Sequence, residues 1–169
     1  MAWTAPKTDF APGDILNAAQ MNAIGDNLIA SAYGNLIDKQ ERTTSYTVNQ
    51  TALASATDIF ASDVTWTADG TTTYLLELFV PRNDTGSGGF TTFFMVDGAG
   101  AALAAVGFVG GGSGISYDAP LMRYWYTPSA GAVTVNARAT FGGAAGVFYG
   151  GAGGASQPPV YLAAFGPIA

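Results

Sequence analysis

The side chains of this chain that could do chemistry are carboxylates and aromatic rings, because its 169 residues include neither cysteine nor histidine. That absence removes disulfides, Cys/His zinc sites, histidine-ligated haem, cysteine nucleophiles, and Ser-His-Asp or Cys-His catalysis. Ten aspartates and two glutamates remain, and a facing pair of them is what glycoside hydrolysis would need. Their placement points instead to turns. Asp69 precedes Gly70, Asp84 follows Asn83, and Asp97 precedes Gly98, positions where an aspartate closes a turn with its own backbone. Asp58, Asp63 and Asp69 are too dispersed for an EF-hand loop. The glycine runs at 110–114 and 150–154 lack the Lys-Ser/Thr of a phosphate loop, and they read as flexible loop tips. Catalytic, cofactor-binding and metal-binding residues are therefore not expected, and the chain does not read as an enzyme. The aromatic candidates are Tyr117 and the run Tyr124-Trp125-Tyr126. In a single chain, either that run leaves a large ring on solvent or a loop folds over it. The rings suit stacking on a sugar or packing against another subunit.

Composition limits the partners. Six basic residues, Lys7, Lys39, Arg42, Arg82, Arg123 and Arg138, face twelve acidic ones, for a net charge of -6. They are scattered, so no patch can displace counterions from DNA or RNA, and nucleic acid is not an expected partner. Hydrophobic residues make up 49% of the chain, far from the disordered range. Charged residues make up only 11%, well under the roughly 25–35% of a typical soluble surface, so part of the surface is expected to be covered by partners. No run of about 20 apolar residues is available to span a bilayer. The opening, with Trp3, Pro6 and Asp9, does not read as a signal peptide, and assembly in a cytoplasm is expected. The Asn-x-Thr matches at Asn49 and Asn83 are read as chance.

Three segments must position these residues: an arm and helix over 1–34, a connector over 35–44, and a β-sandwich head over 45–169. Pro6, Pro12 and Gly13 make the start extended, with Trp3 and Phe10 as isolated aromatic anchors. Asp14 stands as an N-cap, and helix-favouring residues follow until Gly34 offers a stop. Ile15, Leu16, Met21, Ile24 and Leu28 form a narrow apolar stripe between polar residues. Such a helix either caps its own sandwich or docks on another protein, and the aromatic arm favours docking. The connector, with Asp38, Lys39, Glu41 and Arg42, reads as solvated.

Beyond residue 44 the punctuation becomes that of strands and turns. Strands are expected at 44–50, 57–61, 73–80, 90–96, 102–109, 121–126, 133–141, 147–149 and 159–165. Eight or nine short strands without intervening helices indicate a mainly β chain, an antiparallel jelly-roll-like sandwich. Val133, Val135, Ala137, Ala139 and Phe141 share one face of their strand, with Thr134, Asn136, Arg138 and Thr140 on the other. By contrast the stretch YLLELFV at 74–80 is apolar on both faces apart from Glu77, as expected of a strand held between two layers or between subunits.

The opening also resembles that of many tailed-bacteriophage virion proteins. The residues that carry the resemblance are Trp3, Pro6, Thr8, Phe10, Gly13-Asp14, Ala18-Ala19-Gln20-Met21-Asn22 and Asn27-Leu28. The ending Phe165-Gly166-Pro167 is similar to the terminal strand of the same proteins, without their acidic residue before the glycine. The strand rhythm looks like that of trimeric jelly-roll heads of head fibres, decoration proteins and tumour-necrosis-factor-like modules. The resemblance implies a non-enzymatic virion structural protein: a homotrimeric capsid decoration or minor capsid protein on the outer surface, its N-terminal segment bound to a major capsid or tail protein. The alternative is a tail-fibre or minor tail protein whose head binds a host-surface carbohydrate.

Overall fold

The computed structural model describes residues 35–85, 89–109, 120–143, 146–148, 150–151 and 158–166. The arm and helix expected over 1–34 lie outside these residues. So do Tyr117, the glycine run 110–114 and most of the run 150–154.

The described residues form eleven strands: β1 (Leu36–Arg42), β2 (Tyr46–Val48), β3 (Val64–Ala68), β4 (Tyr74–Phe79), β5 (Asn83–Thr85), β6 (Phe90–Asp97), β7 (Ala102–Val109), β8 (Leu121–Tyr126), β9 (Gly131–Gly142), β10 (Gly146–Phe148) and β11 (Val160–Phe165). One sheet has the order β1-β11-β4-β8 and a second the order β3-β9-β6-β7; a small third sheet is β2-β10-β5. All pairings are antiparallel. The chain passes repeatedly between the two large sheets, β3 to β4 and β7 to β8 to β9. That is the double Greek-key traffic of a jelly roll, and the protein is a mainly β, antiparallel sandwich.

Period-two patterning builds the core. In β9 the inward set Val133, Val135, Ala137 and Ala139 is buried and meets Leu76 and Leu78 of β4, Met122 of β8, Phe93 and Met95 of β6, and Leu162 and Ala164 of β11. Fully burying each of the larger side chains contributes roughly 1.5–3 kcal/mol. The small alanines of β9 let the bulkier rings and leucines of the facing strands interdigitate.

Three segments differ from the sequence expectation. Residues 35–44 contain strand β1, paired with β11 over Leu36–Arg42, rather than a solvated connector. Its charges are used locally. Asp38 Oδ2 accepts from the Thr65 amide (2.9 Å), Gln40 donates to the Asp63 carbonyl (3.2 Å), and Arg42 Nη1 donates to the Ile59 carbonyl (2.9 Å). These bonds stitch the β1 edge of one sheet to the β3 side of the other. The strand expected at 57–61 is a single bridge between Asp58 and Arg138, and the regular strand begins later, at Val64. The cause is Ile59 and Phe60, adjacent residues that are both buried, which strict alternation forbids. Asn136 bridges the resulting break, its side-chain amide donating to the Phe60 carbonyl (3.3 Å) and to Asp63 Oδ1 (2.8 Å). The short strand β5 also lies where a break was expected.

Asp69 and Asp97 close turns as expected, whereas Asp84, also expected in a turn, lies within strand β5, paired with Val147. Asp69 accepts from the Thr72 hydroxyl (2.7 Å) and from the amides of Thr71 and Thr72 (2.8 Å each). These bonds, the Thr72 hydroxyl foremost, hold its carboxyl well below the usual carboxylate range. Gly70 follows at φ 87°, where an added Cβ would lie 2.9 Å from the Ala130 amide nitrogen, so only glycine fits.

Candidate interaction face on the first sheet

The outward residues of β4 are Leu75, Glu77 and Phe79. Pairing with β11, β8 and β1 extends each into a row across the whole sheet. Leu75 stands in register with Phe165 and Trp125, and Phe165 with Leu36. Glu77 stands in register with Ala163 and Arg123, and Ala163 with Lys39. Phe79 stands in register with Tyr161 and Leu121, and Tyr161 with Glu41. The face is thus an apolar row, a charged row, and a second row that is apolar except at Glu41.

The apolar rows reach solvent. Trp125 is 58% exposed, and Leu36 and Leu121 are 47% exposed. With strands about 4.8 Å apart and residues rising about 3.3 Å, the three rows together span about 400 Å² in plan.

The charged row is built around Glu77, which is only 8% exposed although it points outward. Arg123 Nε donates to Glu77 Oε2 (2.7 Å) and the Tyr161 hydroxyl donates to Oε1 (2.5 Å), so both carboxylate oxygens are engaged. Burial, then the bond to Glu77, pushes the Tyr161 phenol up to about 12, keeping it a donor at neutral pH. The Phe79 ring packs on Tyr161 at 5.5 Å, and Lys39 Nζ lies 4.8 Å over the Tyr161 ring while pairing with Glu41. Arg123 keeps 62% of its side chain exposed. This arrangement has no spare base or nucleophile. It can exclude water from an apolar contact and fix its register with a central ion pair, which strengthens as water leaves.

Four further carboxylates are also engaged, Asp38 with the Lys39 and Thr65 amides, Asp58 with Arg138, Asp63 with Asn136, and Asp97 with the amides of Ala99 and Ala101. Among the described residues, no three of the acidic side chains cluster as a metal site would need, and no helix is long and apolar enough to cross a membrane.

The structure divides the aromatic run. Tyr124 and Tyr126 turn toward the interior and stack at 6.1 Å, with Trp66 edge-on to Tyr126 at 6.4 Å. Trp125 faces the opposite way, on the row with Leu75. Tyr126 instead borders an open cleft of about 300 Å³ at one end of the sandwich, with Asp97, Ser129 and Thr134. Burial, and then the Asp97 charge, raises its phenol pKa. Trp3, Pro6, Phe10, Ile15, Leu16, Met21, Ile24, Leu28 and Tyr117 lie outside the described residues. Sequence reasoning did not assemble the partners of Trp125: Leu36, Leu75, Phe79, Leu121, Tyr161 and Phe165. The readable signal was the two-sided apolar stretch at 74–80; which residues stand beside it depends on long-range register.

No family model matches the sequence, and no curated protein matches it. Among solved structures, the chain is similar to the VP2 subviral particle of infectious bursal disease virus, with 12% identity and a TM-score of 0.33, covering 78% of this chain and 37% of that one. The Gx strain of the same virus gives 14% identity and a TM-score of 0.30, covering 78% and 36%. This chain therefore spans little more than a third of the chains it matches.

Proposed function

We propose that this protein is a non-enzymatic structural component of a virus particle, of the tailed-bacteriophage kind, with a homotrimeric β head and an N-terminal segment that binds a capsid or tail protein. The observation that supports the reading is the outer face of the first sheet, which no described residue covers and whose in-register apolar rows suit assembly. The resemblance over residues 2–28 supplies the particle. Location on the outer surface, as a capsid decoration or minor capsid protein assembled in the host cytoplasm, fits a net charge of -6. Three copies about an axis would also multiply weak anchor contacts into stable retention.

The test is co-sedimentation of the full chain with particles. Ile24→Asp or Leu28→Asp is expected to abolish incorporation while circular dichroism stays that of a folded β protein, and removal of residues 1–33 is expected to do the same. A truncated chain that still co-sediments would overturn the anchor.

A second reading, a tail-fibre or minor tail protein that binds a host-surface carbohydrate, draws on the cleft beside Tyr126 and Asp97, which has the size and the polar groups to take one sugar ring. Copy number separates the two: hundreds per particle for capsid cover, a few for a tail. Retention on a glycan array that is lost in Tyr126→Ala would favour the second.

A further inference from the structure

We infer that the outer face of the β1-β11-β4-β8 sheet is occupied by a second copy of this chain, with the Arg123–Glu77–Tyr161 cluster at the centre of the contact. The inference rests on the reading of the chain as an assembling structural protein, and it names the surface through which assembly occurs.

Charge selects the occupant. Copies of a chain carrying -6 repel each other over most approaches. On this face Lys39 and Arg123 balance Glu41 and Glu77, so a copy can approach here without that penalty. The β8 edge presents the Arg123 guanidinium, 62% exposed and bonded to Glu77, and the β1 edge presents Lys39 paired with Glu41, 37% and 45% exposed, so each copy offers the other paired, balanced charge across this face. A partner with its own strong charge would gain nothing from a neutral face.

The central cluster adds specificity. Glu77 is already desolvated and holds both of its donors, so covering it costs little further hydration, whereas a misregistered copy would bury the Arg123 guanidinium against an apolar row. Burying a charge without a partner disfavours that register. Trp125, Leu36 and Leu121 are the apolar anchors whose exposure the contact removes.

Sedimentation velocity of the full chain at micromolar concentration tests this, with Trp125→Glu and Leu121→Glu as the disrupting variants. Both positions are exposed, so the sandwich is expected to stay folded by circular dichroism. Thr67→Glu, exposed on β3 of the second sheet, is the control. The expected result is an oligomer for the wild type and Thr67→Glu, and a single-chain species for the other two. A single-chain wild type overturns the inference, including the case in which residues 1–34 of the same chain shield Trp125 from solvent. Oligomers unchanged by both disrupting variants also overturn it. Particle co-sedimentation is read separately: a single-chain protein that joins particles removes this face and leaves the structural role, while an oligomer that never joins them does the reverse.

Discussion

The outward sides of β9 and β4, one strand from each large sheet, handle their side chains in opposite ways. On the second sheet the outward residues of β9 are Thr134, Asn136, Arg138 and Thr140, and the chain covers part of that face itself. Residues 57–63 fold against it, so Asn136 is 4% and Thr140 6% exposed. Asn136 bonds to Phe60 and Asp63, and Arg138 Nε bonds to Asp58 at 2.7 Å. On the first sheet the outward residues are mostly apolar, and Leu36, Leu121 and Trp125 remain open to solvent. Polar outward residues that bond to their own chain finish a surface. Apolar outward residues in register leave a surface that no described residue finishes.

That contrast can be broken at defined positions. The largest effect on fold stability is expected from Asn136→Ala, which orphans the buried Phe60 carbonyl and amide that the side chain serves. A loss of about 2–3 kcal/mol follows from two unsatisfied backbone groups, read as a lower urea midpoint whose dependence on protein concentration stays that of the wild type. Glu77→Gln is expected to cost less, about 1 kcal/mol, because the exposed guanidinium of Arg123 regains water when its charge partner is removed. Its unfolding midpoint should depend on concentration less steeply than that of the wild type.

Alkaline titration sharpens the same cluster. The Tyr161 phenol holds its proton to about 12 in the folded chain, against an ordinary value near 10. Between those values the folded state binds more protons than the unfolded one, so stability falls as pH rises. This contribution is intact below pH 10 and is exhausted above 12. Tyr161→Phe is expected to lose less stability over that window than the wild type in matched denaturant melts. The smallest effect on the fold belongs to Trp125→Glu, within ~0.5 kcal/mol for the isolated chain. A large drop there in dilute, single-chain conditions would mean that Trp125 belongs to the core.

Much of this architecture was legible in the residue pattern. The alternation of Val133, Val135, Ala137 and Ala139 announced one buried face, and YLLELFV announced a strand between two layers or two subunits, of which the described residues supply only the inner layer. The run Tyr124-Trp125-Tyr126 left open a ring on solvent or a loop over it; among the described residues period two puts Trp125 on solvent and turns its neighbours inward. Strand β1 was hidden because Asp38, Lys39, Glu41 and Arg42 resemble a hydrated linker in isolation. The contacts that Asp38, Arg42 and Lys39 make are to Thr65, Ile59 and Tyr161, which lie 17 or more residues away. The late start of β3 was hidden for a similar reason, since the break at 60–63 is held by Asn136 from 73 or more residues away. The interaction face shows the same limit: one strand displayed its composition, while the rows exist only through the register of four strands.

The most direct measurement is hydroxyl-radical footprinting of the full chain over a dilution series, read at Trp125, Leu121 and Leu36. The account predicts slow modification of all three at high concentration and fast modification on dilution, with residues on the second sheet unchanged. Rapid modification of Trp125 at every concentration, or protection that dilution never relieves, would contradict it.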